Sequence, residues 1–235
     1  MKITAHRSGP KTHPEQTVES ALEALSFGAD MVEIDCRFTS DKAIAVTHDE
    51  NLERIFGIKK DIGDVTAAEF KALRHAGNEQ YGAYFVEDYL KANIFPLLIH
   101  VKDSKTIEPL IELLKKYGCT QKVTLGVTKA DDVKKIKSAA PEIKVLAFMP
   151  RAEFLNIFLL TEADYIRLWE GWVTESRIAK IKKHGKEVWI MADGCNSDGV
   201  GYTDPVNFPV WRDMGVDNVL VNRVDKAFKA LGEKR

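Results

Sequence analysis

Apolar and polar positions follow two different periods along this chain, and the periods alternate. Residues 31–39 switch between apolar and polar at almost every step, which is the period of a strand. Residues 19–27 repeat apolar side chains at helical spacing and stop at Gly28, a residue that favours the end of a helix. Strands are predicted over 3–7, 31–39, 43–47, 95–102, 122–127, 144–148, 164–169, 187–192 and 218–221, and helices over 19–27, 107–117, 130–139, 152–160, 175–183 and 225–231, with two more beginning near Thr66 and Pro209.

The order of these elements predicts an α/β fold. Strand and helix succeed each other about eight times, which indicates parallel strands joined by crossover helices. A chain of 235 residues suits a (β/α)8 TIM barrel, which typically needs about 250. A doubly wound open sheet is the competing architecture. No linker rich in proline, glycine or serine interrupts the chain, so residues 1–235 are interpreted as a single domain.

Composition and charge narrow the class of protein. Hydrophobic residues make up 45% and charged residues 29%, as in ordinary globular proteins, and the net charge of -1 offers no basic excess for a nucleic-acid partner. No apolar run approaches the roughly 20 residues of a membrane span, and residues 1–6 lack a signal peptide's apolar run. Cys36, Cys119 and Cys195 are too scattered for a disulfide framework. We therefore expect a cytoplasmic protein without membrane insertion.

Two carboxylates stand out on the second predicted strand. Glu33 and Asp35 are two residues apart, so both side chains point to the same face, toward the inside of a barrel. Burying two carboxylates side by side is costly, and a bound divalent cation removes that penalty. The alternative is a pair satisfied by Arg37, Lys102 or a backbone donor. The spacing alone leaves both interpretations open.

Other polar side chains lie where predicted strands end, which is where the active site of a TIM barrel forms. His6 and His48 are suited to a general acid and general base pair near neutral pH. Arg7 is suited to gripping an anionic oxygen pair. Lys102, which shares a strand face with His100, could neutralise the carboxylates or hold a phosphate.

Three features near the later strands have weaker signals. Trp189 lies on a strand, where packing is the default explanation, although it could also wall a substrate pocket. Glu170 follows the sixth barrel strand. Gly199 and Gly201 lie in the loop 193–202, where barrels often place a phosphate site, but this spacing alone is a weak motif.

Several motifs occur in the order and spacing of a known family, and the chain resembles the glycerophosphodiester phosphodiesterases. The N-terminal third carries the resemblance, and the middle of the chain is similar only in its alternating pattern and length. The similar segments are His6-Arg7, Pro14–Thr17, Gly28–Asp35, His48–Arg54, Gly63–Phe70 and, near the end, Gly215–Leu220.

The resemblance implies a metal-dependent phosphodiesterase on a (β/α)8 barrel. The expected substrate is a small phosphodiester of glycerol, cleaved to an alcohol and glycerol 3-phosphate, and the expected cofactor is one divalent ion, commonly Mg²⁺ or Ca²⁺. The positions that match the family's motifs imply His6 and His48 as general base and general acid, Glu33 and Asp35 as metal ligands, Arg7 as a phosphate contact and Glu15 as a supporting residue.

The chain also departs from the family's pattern. Ser8 and Gln16 replace the usual Gly and Asn, and Asn222 stands where the last strand often carries Asp. More importantly, His100 replaces a glutamate that serves the family as a metal ligand. His100 as third ligand would favour Mn²⁺ or Zn²⁺, whereas without it two carboxylates and waters would bind metal more weakly. Glu170 could supply the missing carboxylate.

Two further functions remain open at the level of sequence. One is a related enzyme that cleaves a phospholipid or sugar phosphodiester, with a cyclic phosphate as a possible product. The other is a catalytically degenerate protein that only binds phosphodiesters, an interpretation supported only by the replacement at His100. The oligomeric state is left unassigned by the sequence.

Overall fold

The computed structural model describes residues 1–194 and 199–233, and within them a parallel sheet closes into a barrel. The strands are β1 Lys2–Ala5, β2 Met31–Phe38, β3 Ile44–Val46, β4 Arg74–His75, β5 Asn78–Gly82, β6 Leu97–Val101, β7 Val123–Val127, β8 Lys144–Phe148, β9 Tyr165–Trp169, β10 Glu187–Met191 and β11 Asn218–Val221. The α-helices are α1 Val18–Ser26, α2 Glu53–Phe56, α3 Ala67–Ala72, α4 Val86–Lys91, α5 Ile107–Lys116, α6 Ala130–Ala139, α7 Leu155–Leu159, α8 Glu175–Lys183, α9 Asn207–Asp213 and α10 Val224–Leu231.

The pairing of the strands decides between the two architectures. The sheet runs β1-β11-β10-β9-β8-β7-β6-β2, and β1 also pairs with β2, which closes the ring. Every pairing around the ring is parallel. The predicted (β/α)8 barrel is therefore confirmed, and the open doubly wound sheet is excluded. Because the strands are parallel, all their carboxyl ends open on one face of the barrel.

The period of each strand sorts its side chains between two environments. On β2, Val32, Ile34 and Cys36 are fully buried against the surrounding helices. Glu33 and Asp35 point the other way, into the barrel, as predicted from their spacing. A smaller apolar cluster fills the barrel interior, and its fully buried members are Leu98, Leu146, Phe148, Trp189, Met191 and Leu220.

The helices that follow the strands bury one apolar face each. In α5, Ile107, Leu110 and Leu114 are buried at helical spacing, as the sequence pattern predicts. The expected start of a helix at Thr66 is also confirmed, because Thr66 and Glu69 form a reciprocal capping box. No helix among the described residues is long and apolar enough to cross a membrane.

The segment between β3 and β6 holds structure that the sequence pattern did not predict. The antiparallel β4–β5 pair and helix α4 lie there. Phe56, Phe70 and Phe85 form a small separate core, with ring centroids about 5.5 Å apart from one to the next. These elements are too short to show a full period, and their aromatic contacts, not local propensity, hold them in place.

Candidate active site

A cavity of about 290 Å³ opens at the carboxyl ends of the barrel strands. Most of the residues predicted to carry chemistry line it, although they come from separate elements of the chain. The lining residues are His6, Arg7, Glu33, Asp35, His48, His100, Lys102, Phe148, Arg167, Trp169, Met191 and Val200. The closed barrel thus brings three histidines, the carboxylates of Glu33 and Asp35, and three cationic side chains to one cavity.

Glu33, Asp35 and His100 form a cluster with the chemistry of a metal site. One ligand atom from each residue lies within 4.8 Å of the other two, and both carboxylates are buried. The His100 Nδ1 lies 3.0 Å from Asp35 Oδ1, while its Nε2 is buried without a hydrogen-bond partner among the described residues. When Nδ1 carries the proton, the lone pair of Nε2 is free for a cation. The three donors therefore fit a divalent ion.

The two carboxylates are not electrostatically equivalent. Burial, together with the neighbouring charge of Asp35, raises the pKa of Glu33 to about 8. Burial also acts to raise the pKa of Asp35, but Lys102 and His100 outweigh it and hold this pKa well below its usual range. A bound cation would stabilise the ionised form of Glu33, so this raised pKa marks a place where positive charge is needed.

Two side chains hold the Asp35 carboxylate in position. Lys102 Nζ lies 2.7 Å from Oδ1, and Gln16 Nε2 donates to Oδ2 at 2.6 Å. Gln16 is buried and has a positive φ of 60°, and its Oε1 accepts a weaker bond from the backbone N–H of Asp35. The sequence marked Gln16 only as a mild departure, and a single sequence gives no signal that it would reach Asp35.

His6 and Arg7 lie in a tight turn that directs both toward the cavity. Arg7 and Ser8 have positive φ angles of 49° and 70°, and the backbone N–H of Arg7 donates to Glu33 Oε2 at 2.8 Å. His6 Nδ1 donates to Asn222 Oδ1 at 2.7 Å, which fixes the tautomer and leaves Nε2 as the basic nitrogen. Burial and the charge of Arg7 lower the pKa of His6 to about 3.

His48 is held by a chain of ion pairs that reaches the other wall of the site. Its Nδ1 lies 2.7 Å from Asp49 Oδ1, and Arg54 bonds Asp49. Arg54 also bonds Glu15 at 2.7 Å, and Glu15 in turn lies 3.4 Å from the guanidinium of Arg7. Glu15 therefore supports the site by tying Arg7 to the segment that carries His48. Burial is the main cause that lowers the pKa of His48.

The surroundings of Glu170 bear on whether it could be a substitute metal ligand. Its carboxylate accepts hydrogen bonds from Thr203 Oγ1 and Asn207 Nδ2, both at 2.8 Å, and from the backbone N–H of Asp193. It is absent from the described lining of the cavity. In the structure the side chain bonds the segment after β10, and the hypothesis that Glu170 replaces the missing carboxylate stays a prediction. That segment includes residues 195–198, which lie outside the described residues.

Trp189 is also placed away from the cavity. Its ring stacks on Tyr165 at a centroid distance of 4.7 Å, and its Nε1 donates to Glu187 Oε2. Glu187 and Trp189 lie at the start of β10, so this contact belongs to the opposite end of the barrel interior. These contacts agree with packing, the default explanation for Trp189, and a role beside the substrate stays a prediction. The proposed partner Arg37 likewise bonds the backbone oxygen of His48 and not the carboxylates.

The structure adds a buried group that sequence reasoning missed. Arg167 points into the barrel from β9, and its Cζ lies 4.2 Å from the Trp169 ring centroid and 5.2 Å from that of Phe148. The Phe148 ring also stacks on His100 at 4.1 Å. The signal was available: Tyr165, Arg167 and Trp169 share the inward phase of a strand whose other residues are apolar.

The closed barrel and the acid–base cluster at its carboxyl ends define a (β/α)8-barrel enzyme. Comparison with known proteins shows which family the chain is similar to. Residues 6–109 match the model of the glycerophosphoryl diester phosphodiesterase family. A glycerophosphodiester phosphodiesterase of Caldanaerobacter subterraneus subsp. tengcongensis is 27% identical over 211 residues, which cover 84% of this chain and 82% of that protein. Both findings support a relationship to the glycerophosphodiester phosphodiesterase family, in agreement with the motifs of the sequence.

More distant relatives agree with this assignment. A human lysophospholipase D is 26% identical over 64% of this chain, and the chain spans about half of its length, 52%. An Oleispira antarctica phosphodiesterase, solved in complex with the product sn-glycerol-3-phosphate, superposes with a TM-score of 0.84 at 19% identity, covering 99% of this chain and 97% of that chain. A Silicibacter pomeroyi structure gives a TM-score of 0.83 at 15% identity, with 98% and 92% covered. These two structures support the fold.

Proposed function

We propose that this protein is a metal-dependent phosphodiesterase that hydrolyses glycerophosphodiesters to an alcohol and glycerol 3-phosphate. The observation that carries the proposal is the convergence, in one cavity, of a possible metal site, two histidines and the cations Arg7 and Lys102. A phosphodiester is an anion that accepts more negative charge in its transition state, so fixed positive charge lowers its barrier to hydrolysis. We further propose the cytoplasm as its location and residues 1–235 as one domain.

The metal ligands in this proposal are Glu33, Asp35 and His100. A bound divalent cation would supply positive charge where negative charge grows on the phosphate oxygens. The imidazole of His100 in place of a carboxylate favours Mn²⁺ or Zn²⁺ over Mg²⁺ and Ca²⁺. The stacking of its ring on Phe148 holds His100 in one orientation, which a ligand requires.

Arg7 and Lys102 are proposed to bind the phosphate. The Arg7 guanidinium is held by Glu15, with part of its donor set left for a substrate oxygen. Lys102 is held by Asp35, with Nζ 2.7 Å from Oδ1, and its Nζ also lies 3.0 Å from His100 Nδ1. Both cations are largely buried, with 17% and 13% of their side chains exposed. A phosphate oxygen is therefore bound where little water competes.

We assign His6 as the general base. Its Nδ1 proton is held by the neutral amide of Asn222, so no partner charge stabilises the imidazolium, and the lowered pKa keeps the ring neutral. A neutral ring with a free Nε2 can accept the proton of the attacking hydroxyl, which comes from water or from the neighbouring glycerol hydroxyl.

We assign His48 as the general acid. Its Nδ1 bonds the carboxylate of Asp49, which acts against the burial that lowers the pKa of this ring, and Arg54 holds that carboxylate in place. As the bond from phosphorus to the alcohol oxygen breaks, the Nε2 proton of His48 passes to the leaving oxygen. Loss of either histidine should reduce the rate by roughly 10²–10⁴.

The test is release of glycerol 3-phosphate from glycerophosphocholine and glycerophosphoethanolamine. Chelator-stripped protein is assayed with Mg²⁺, Ca²⁺, Mn²⁺ or Zn²⁺ added back, and Glu33→Gln serves as the metal-site variant. Turnover that returns with one ion, and fails in the variant, supports the proposal. Binding of both diesters without turnover under any ion would instead favour a degenerate binding protein. Phosphorus NMR distinguishes direct hydrolysis from a cyclic phosphate.

A lysophospholipid is the second candidate substrate. Phe148, Trp169, Met191 and Val200 give the cavity an apolar side, and Val200 is 41% exposed. An acyl chain could extend past such a side chain into solvent or a membrane surface. Release of choline from lysophosphatidylcholine, measured beside release from glycerophosphocholine, separates the two candidates.

A further inference from the structure

The strongest unexplained feature of the cavity is the guanidinium of Arg167. The residue is only 4% exposed, and its Nε and Nη1 are buried without a hydrogen-bond partner among the described residues. Nη2 makes a single long bond of 3.4 Å to the backbone oxygen of Met149. A guanidinium remains charged in proteins, and leaving such a charge unpaired in the interior is strongly destabilising. A buried cation of this kind is expected where a bound anion pairs with it.

The surroundings of Arg167 stabilise the cation but do not neutralise it. The faces of Trp169, Phe148 and Trp172 lie 4.2, 5.2 and 5.9 Å from its Cζ. Contacts of this kind orient a guanidinium and leave the N–H groups at its edge available. No described carboxylate forms an ion pair with it, since Asp193 acts only through its more distant charge. The planar fork is thus positioned for an anion from outside the chain.

The charge of the whole cavity points the same way. Among the described lining residues there are three permanent cations, Arg7, Lys102 and Arg167, against the two carboxylates Glu33 and Asp35. Arg7 pairs with Glu15 and Lys102 pairs with Asp35, whereas Arg167 has no ion pair among the described residues. A phosphodiester carries one negative charge. Arg7 and Lys102 suffice for that group. Arg167 therefore remains for a second negative charge on the same ligand.

We propose that Arg167 forms an anion subsite that selects phosphodiesters whose alcohol carries a further acidic group, a carboxylate or a phosphate monoester. This inference rests on the proposed function and names the substrate class of the same cavity. The bidentate geometry of a guanidinium matches the two oxygens of either acidic group. Diesters with a neutral or cationic alcohol, such as glycerophosphocholine, are then the poorer substrates.

The first experiment measures binding and needs no turnover. The full chain, in one magnesium buffer, is titrated calorimetrically with 3-phosphonopropanoate, which carries two acidic groups, and with propylphosphonate, which carries one. We expect the first probe to bind about 10- to 100-fold more tightly, the range for a hydrogen-bonded charge pair. Arg167→Met should reduce that ratio to about one, and Arg167→Lys should give an intermediate ratio.

A matched control variant and the melting temperature distinguish an effect on probe binding from an effect on folding. Arg212→Met removes an exposed arginine of α9 that pairs with Asp213, and it should leave the ratio unchanged. Arg167→Met should not lower the melting temperature, because it removes an unpaired buried charge. Equal binding of both probes by the natural chain overturns the proposal. So does a ratio that survives Arg167→Met, or a loss of both probes together with a lowered melting temperature.

The second experiment measures hydrolysis of two matched diesters of glycerol phosphate, one with 3-hydroxypropanoate and one with 1,3-propanediol. They differ only in a carboxylate, so the ratio of their kcat/KM values reports the subsite. We expect the acidic diester to be preferred about 10- to 100-fold, and the preference to disappear in Arg167→Met. Hydrolysis of both diesters at equal rates would overturn the proposed anion subsite and leave the proposed function intact. Absence of turnover with every ion overturns the proposed function and leaves the binding result to decide the subsite.

Discussion

Gly126 controls the position of the Phe148 ring, and substituting it tests how the site is packed. A Cβ built on Gly126 would lie 2.3 Å from Cε2 of Phe148 and 2.7 Å from its Cδ2. Carbon atoms pack without strain only at about 3.5–4.0 Å. The ring passes over Gly126 to stack on His100, so Gly126→Ala must push it away.

The cost of this substitution can be worked from its parts. Forcing a methyl group into a packed interior costs about 1–3 kcal/mol. Replacing glycine by alanine in a strand returns about 0.5–1 kcal/mol of backbone entropy. We therefore expect Gly126→Ala to lower the free energy of unfolding by about 1–2 kcal/mol, measured by urea denaturation. Activity should fall as well, because the displaced ring no longer holds His100 or contacts Arg167.

Two further variants make this prediction specific. Gly63→Ala is the matched control, since nothing lies within 4 Å of a Cβ at that position. In a Phe148→Leu background the alanine should cost less than about 0.5 kcal/mol, because the atoms that it meets are gone. The reasoning is refuted if Gly126→Ala alone is as stable as the natural chain, or if its cost is the same in both backgrounds.

Three other predictions concern the histidines and one ion pair. Asn222→Asp places a carboxylate beside His6 Nδ1 and should raise the pKa of His6 by about 1–3 units. The acidic limb of the pH profile of kcat/KM should then move to higher pH, and a limb that does not move would contradict the assignment of His6 as base. His100→Glu should lower the Mg²⁺ concentration for half-maximal activity, relative to that of Mn²⁺, by about 10-fold or more. An unchanged ratio of the two concentrations means that His100 is not a ligand. Burial acts to raise the pKa of Asp164, but bonds from Lys137 and a second lysine outweigh it and lower this pKa below the usual range. The ion pair therefore stabilises the folded protein above about pH 4, and this stabilisation is lost as pH falls through the folded pKa. Asp164→Asn should thus cost about 1–2 kcal/mol at pH 7 and almost nothing at the acid end, and urea melts at both pH values measure it.

The barrel and the core of its site were predictable because they depend on short-range periods. The two-residue period of β2 places Glu33 and Asp35 inside the barrel, and parallel pairing with β1 brings His6 beside them. His48 follows β3, which pairs antiparallel with the end of β2. A sequence motif fixes the spacing of residues that are close together along the chain. The closed ring converts that order into proximity, so the lining of the cavity follows from the fold class.

The residues that the sequence did not reveal are those whose contacts cross the barrel. Gln16 reaches Asp35 from a loop, and Asn222 reaches His6 from the last strand, over 216 positions of sequence. Glu170 shows that a carboxylate at a strand end can bond a neighbouring loop, a contact that its position in the sequence does not reveal. Distances of this kind depend on loop paths, which no period in the sequence encodes.

The different partners of the two histidines suggest how one cavity can supply both an acid and a base. His6 is buried and lies beside the cation Arg7, and these two influences outweigh the charge of Asp35 and the bond to Asn222, so the neutral ring is favoured. His48 is more exposed and bonds Asp49, whose carboxylate is held by an arginine that also reaches Glu15. The same arginine therefore orients His48 and, through Glu15, contacts Arg7, which we propose binds the phosphate. A substitution that breaks this arginine's contacts should disturb acid catalysis and phosphate binding together, whereas the partner of His6 should affect the base alone.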